Sequence, residues 1–138
     1  MWSAIGTFLT CHQGSSKWPL VRRVRSLIKL GEWATVYSNG VIKLDVRLTM
    51  KMEDQSLLLV TYSGKFLLNE TGLAKGQAGE LITSEDCYFI TNPLIRTQSE
   101  SYGWFNSTVL VGKMVSLQPV NENDKPLYVT YDVYQVAP

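Results

Sequence analysis

Histidine is almost absent from this chain: His12 is the only one in 138 residues. A Ser-His-Asp or Cys-His triad would have to run through it. It stands beside Cys11, in a turn-like stretch ending Gln13-Gly14-Ser15-Ser16. In an extended chain the side chains of two such neighbours point to opposite faces. His12 is therefore read as an exposed loop histidine. Cysteine is also scarce, with Cys11 and Cys87 alone and no Cys-x-x-Cys. That excludes a disulfide framework and, with a single histidine, a transition-metal set. Cys87 reads as a small buried apolar group at a strand start. The carboxylates lack EF-hand spacing, and no Gly-x-Gly-x-x-Gly or Gly-Lys-Ser/Thr loop occurs, so no metal or nucleotide cofactor is expected. No apolar run is long enough to span a membrane. Met1–Thr10 lacks a basic n-region and a clean cleavage site, so it reads as a first strand and not a signal peptide. A cytoplasmic protein is the expectation. Net charge is only +1, which excludes a broad nucleic-acid footprint. The local basic run Lys17, Arg22, Arg23, Arg25 and Lys29 reads as a solvated face.

What is present is an ordinary globular balance, 45% hydrophobic and 18% charged, which argues against disorder and fits one domain over residues 1–138. Periodicity is the clearest signal. Ile42, Leu44, Val46, Leu48, Met50 and Met52 alternate with Lys43, Asp45, Arg47, Thr49 and Lys51. Such alternation is a strand with one dry and one polar face. Asn39-Gly40 predicts a hairpin turn back to a shorter strand at Trp33–Tyr37. Glu53-Asp54-Gln55 predicts the next turn, before a strand at Leu57–Tyr62, a bend at Gly64 and a short piece at Phe66–Leu68. Residues 71–86, broken by Gly72, Gly76 and Gly79, read as a loop with at most one short helical turn. Strands follow at Cys87–Arg96, Gly103–Gly112, Lys113–Leu117 and Leu127–Val136, with a hairpin loop at Asn121–Pro126. Short strands at this spacing predict an all-β fold, an antiparallel barrel or sandwich.

The chemical candidates are few. Asp45 and Arg47 lie two apart on one strand and share a face with Lys43 and Lys51. On a solvated sheet they form an ion-pair ladder of small energetic value. Inside a barrel the same face is a charged pocket lining, where burial makes acid–base chemistry possible. The residues alone favour the solvated reading. Tyr62, Tyr88, Tyr102 and Trp104 offer aromatic surface with polar tips, suited to a flat ligand or to a barrel core and rim. Trp104 and Asn106, two apart on the strand expected at Gly103–Gly112, share a face.

Three blocks resemble the DUF3237 family of small β-barrel proteins. They are Gly31 to Arg47 with its Leu44-Asp45-Val46-Arg47, Tyr88-Phe89 with Thr91 and Pro93, and Tyr102-Gly103-Trp104-Phe105-Asn106 followed by Val111-Gly112. The closing Val129 to Val136 fits the family's last strand. The resemblance covers about residues 30–136. It implies a calycin-like antiparallel barrel with one short helix or loop insertion, and it lifts the pocket reading of Asp45, Arg47, Trp104 and Asn106 above the ladder. The chain departs from the pattern at Ile90, where the family has Arg, and at Arg96, where it has Glu, so a charged pair of the family is altered. The segment before Gly31 is also shorter than usual, which leaves a strand open to question.

Some fungal members are cyclases of polyketide metabolism, notably in phenalenone pathways, that close an oxygen ring by hydroalkoxylation of a prenyl-type alkene. The resemblance thus implies a cofactor-independent cyclase or isomerase acting on a prenylated aromatic molecule. Asp45 would be the acid or base, with Arg47 orienting it or binding a phenolate. Tyr62, Tyr88 and Trp104 would hold the substrate, Asn106 would bind a carbonyl, and Arg96 is a second partner for a phenolate. The alternatives are a non-catalytic small-molecule-binding barrel and a structural domain with Asp45 and Arg47 on its surface. A homodimer would cover unpaired strand edges.

Overall fold

The computed structural model describes residues 6–12, 24–119 and 128–136. Eight strands form one sheet: β1 Gly6–His12, β2 Val24–Val36, β3 Ile42–Met52, β4 Leu57–Leu68, β5 Ile82–Thr83, β6 Cys87–Arg96, β7 Leu110–Gln118 and β8 Tyr128–Gln135. One helix, α1 Glu70–Gln77, follows β4, and a 3₁₀ turn at Gly103–Ser107 precedes β7. The order across the sheet is β1-β8-β7-β6-β4-β3-β2, with β5 paired to β7 off this path. All pairings are antiparallel except β1 with β8, which is parallel. The sheet is barrel-like but not closed, since β1 and β2 end it without pairing to each other. Among the described residues no helix is long and apolar enough to cross a membrane.

The alternation in β3 does what it predicts. Leu44, Val46, Leu48, Met50 and Met52 are buried, with Met50 fully so. They meet Leu58 and Val60 of β4, Phe89 and Ile95 of β6, and Met114, Val133 and Tyr131 from the far side of the sheet. Burying one such aliphatic side chain contributes about 1.5–3 kcal/mol. A charge at Val46 would break the core at its centre. The β2–β3 turn closes at Asn39-Gly40: Val41 N–H donates to Asn39 Oδ1 at 3.1 Å, and Gly40 takes φ 84°, which a side chain resists.

Several boundaries differ from the expectation. β2 reaches back from Trp33 to Val24, and β1 supplies a strand before Gly31. β4 runs unbroken through Gly64, because Gly64 pairs with both Leu44 and Thr91 in the ladder. His12 is the last residue of β1, not a loop residue. The segment at 71–86 holds a real helix. Asn69 caps it, accepting from Gly72 N–H at 2.9 Å while its Nδ2 donates to the Glu85 carbonyl at 2.9 Å. Residues 103–107 are a 3₁₀ turn and not a strand, and β7 then continues through Lys113. Adjacent Trp104 and Phe105 break the alternation a strand needs, and Thr108 Oγ1 donates back to the Trp104 carbonyl at 2.6 Å. Lys17, Arg22, Arg23 and the Asn121–Pro126 loop lie outside the described residues.

Candidate functional site

Register places two rows of side chains side by side on the outer face of the sheet. One row crosses the strands as Lys43, Lys65, Ile90 and Lys113. The next crosses as Trp33, Asp45, Ser63 and Asn92. Between them lies a groove of ≈ 340 Å³, lined by Lys43, Ser63, Lys65, Tyr88, Ile90, Asn92 and Val111 with the backbone of Gly64 and Thr91. Tyr88 is 61% exposed and stands as an aromatic wall. Ile90 and Val111 supply apolar surface. Ser63 Oγ donates to Asn92 Oδ1 at 2.7 Å, which leaves the Asn92 amide N–H groups for another acceptor. Neither Lys43 nor Lys65 has a carboxylate within ion-pair distance among the described residues.

The pocket-lining expectation for Asp45 and Arg47 is corrected by this geometry. Leu44, Val46 and Leu48 take the interior, so the residues between them must face outward. The side chain of Asp45 is 54% exposed and that of Arg47 68%. Arg47 Nε lies 3.9 Å from Asp45 Oδ1, and its guanidinium sits 5.7 Å from the Trp33 ring centre. They form the surface ladder, at the edge of the groove through the Asp45–Ser63 pair. Such an exposed pair adds ~0–1 kcal/mol.

The other predicted residues separate. Tyr88 lines the groove. Arg96 is exposed on β6 across from Leu59, on the same outer face but outside the groove lining. Trp104 and Asn106 do not share a strand face, because they lie in the 3₁₀ turn. Trp104 stacks on Phe105 with ring centres 4.0 Å apart. Asn106 is a clamp: its Oδ1 accepts from Thr97 N–H at 2.9 Å and its Nδ2 donates to the Thr97 carbonyl at 2.8 Å. That pattern copies a β-bridge and ties the turn to the end of β6.

Tyr62 lies on the inner side of the sheet. Its hydroxyl meets that of Tyr131 at 3.1 Å, and Thr91, Pro93, Leu48, Val60 and Val133 complete a void of ≈ 10 Å³. That is room for about one water and no flat ligand. Burial pushes the Tyr62 hydroxyl up to about 12 and the Tyr131 hydroxyl well above its ordinary range, the charge of Glu32 adding to both. Glu32 shares the inner face through its register with Val46 but stays exposed on the edge strand β2, and a partial loss of water raises its own pKa. Sequence reasoning missed Glu32, Tyr131, Ser63, Lys65 and Asn92. Only cross-strand register joins them, and register is not written in any one segment. Cys87 is half-buried, and burial and the neighbouring Asp86 charge push its thiol up. Among the described residues no three of His, Cys, Asp and Glu come together as a metal set.

The fold has solved counterparts. A conserved protein of unknown function from Rhodopseudomonas palustris is 23% identical with TM-score 0.54, over 61% of this chain and 55% of that one. A β-barrel-like protein from Acinetobacter baumannii is 23% identical with TM-score 0.55, over 79% and 64%. A protein of unknown function from Clostridium acetobutylicum is 19% identical with TM-score 0.53, over 64% and 60%. The chain therefore spans less than two thirds of the length of each, and the likeness is one of fold alone. No curated protein matches it. A family model described as a protein of unknown function matches residues 24–136, most of the chain, and the chain belongs to that family, DUF3237.

Proposed function

We propose that this chain binds a small, flat molecule in the outer-face groove between Lys43 and Tyr88. One observation carries the reading: a concavity of ≈ 340 Å³ that combines an exposed aromatic wall, apolar surface and the donors of Lys43 and Lys65, which meet no carboxylate among the described residues. Its volume falls at the lower end of small-ligand sites, about 300–1,000 Å³. The interior void is too small to compete for such a molecule.

The narrower form of the proposal is the cofactor-free hydroalkoxylation of a prenylated aromatic molecule. Protonating an alkene calls for a carboxyl group shielded from water beside the substrate. Asp45 borders the groove through Ser63, so a bound molecule lying over it would supply the shielding. Asp45→Asn is then expected to abolish turnover with little change in affinity.

The test is an amide chemical-shift titration of the full chain against a panel of flat aromatic compounds. The reading expects saturable shifts at Ser63–Lys65 and Tyr88–Asn92, lost in Tyr88→Ala. Shifts confined to the surroundings of Tyr62 and Tyr131 would move the site to the interior and overturn the reading.

A further inference from the structure

We infer that the groove takes an aryl carboxylate, its oxyanion held between Lys43 and Lys65 and its ring laid against Tyr88. The inference rests on the groove being the binding site. Lys43 and Lys65 are direct cross-strand partners. Like charges directly opposite each other on neighbouring strands repel. Here no carboxylate among the described residues relieves that repulsion. Lys113, the register partner of Ile90, brings a third positive charge to the same row, with Asp132 across from it on β8. The nearest acid on β3 is Asp45, and Arg47 at 3.9 Å balances it.

The lining is also donor-rich. Lys43 and Lys65 present ammonium groups, which only donate. The proton of Ser63 and the Oδ1 of Asn92 satisfy each other, so the Asn92 N–H groups are not used in that bond. A carboxylate accepts and does not donate, which matches this set. A bare oxyanion would leave Tyr88, Ile90 and Val111 uncovered, and so the charged group belongs on a flat apolar body.

The experiment is calorimetric titration of the full chain with naphthoate, its neutral counterpart naphthamide, and inorganic phosphate. Naphthoate is expected to bind about tenfold tighter than naphthamide, the yield of one charge-assisted contact. It should weaken with added salt and exceed phosphate. Lys65→Gln should erase the preference for naphthoate without lowering the melting temperature, and Tyr88→Ala should weaken both aryl compounds alike. Equal binding of naphthoate and naphthamide would overturn the anion inference and leave the groove reading intact. So would a preference that survives both Lys43→Gln and Lys65→Gln. Phosphate binding as tightly as naphthoate would make this a site for a free oxyanion and overturn the aryl part. Absence of binding by either aryl compound would remove the groove reading and this inference with it.

Discussion

Tyr62 on β4 and Tyr131 on β8 share one hydroxyl–hydroxyl bond of 3.1 Å across the interior, their rings edge to face at 5.6 Å. The contact joins strands three places apart in the sheet order, so it reports on the curl of the sheet. Tyr62→Phe leaves the Tyr131 hydroxyl buried without this partner, at a cost of about 1–3 kcal/mol. Tyr131→Phe is expected to cost a similar amount. The double variant should cost less than the sum, because neither hydroxyl is then left behind. Urea unfolding of all four proteins measures this, and strict additivity would show that the two hydroxyls are not coupled.

Gly112 faces Thr91 where β7 crosses β6, and a Cβ there would collide with Thr91 Oγ1. The ladder between the two strands consists of Ile90–Lys113 and Thr91–Gly112, so a collision at Gly112 strikes half of its register pairs. Gly112→Ala is expected to destabilise by about 1–3 kcal/mol, the usual cost of overpacking. Adding Thr91→Ala should recover part of the loss. A further loss in the double variant would mean that the collision is not the cause.

Glu32 has a folded-state pKa raised by loss of water. The folded state then holds that proton more tightly than the unfolded chain does. Its stabilising effect is complete below the ordinary glutamate range near ~4.3, and is lost as pH rises through the folded value. Glu32→Gln should therefore raise the melting temperature at neutral pH and flatten its fall from acid toward neutrality. A lower melting temperature at neutral pH would show that the ionised carboxylate makes a favourable contact instead.

Asp86 has the opposite sign. It is 5% exposed and accepts from Lys75 Nζ at 2.8 Å, Thr83 N–H at 2.8 Å and Thr83 Oγ1 at 3.1 Å. The Lys75 bond first, then the Thr83 backbone bond, lowers its pKa. The stability this adds is present above the ordinary aspartate range near ~3.9 and is lost as pH falls through the still lower folded value. Asp86→Asn should destabilise the protein at neutral pH, and the difference from wild type should shrink in strong acid. Amide exchange in the last turn of α1 should quicken, because Lys75 ties that end of the helix to the β5–β6 turn while Asn69 ties the other. A pH-independent loss would assign Asp86 a packing role only.

Part of this was legible in the residues. The alternation from Ile42 to Met52 determined a strand with a buried face, and Asn39-Gly40 determined the turn before it. The spacing of the later strands determined an all-β chain. In each case the decisive physics is local: side-chain period, backbone freedom, the reach of a short polar side chain. Even the outward direction of Asp45 and Arg47 followed from Leu44 and Val46, whose inward direction leaves the residues between them no other face.

Tertiary structure decided the rest. It made β1 the parallel neighbour of β8, left the sheet open between β1 and β2, and turned Trp104 to Asn106 into a 3₁₀ clamp instead of a strand face. It also set Lys43 against Lys65 and Ser63 against Asn92 in the same groove. Each of these depends on which residue stands opposite which across strands distant in sequence. Alternation sorts a strand into two faces. Its partner and its register come only when the whole chain has found the arrangement that buries the most apolar surface with its backbone groups paired.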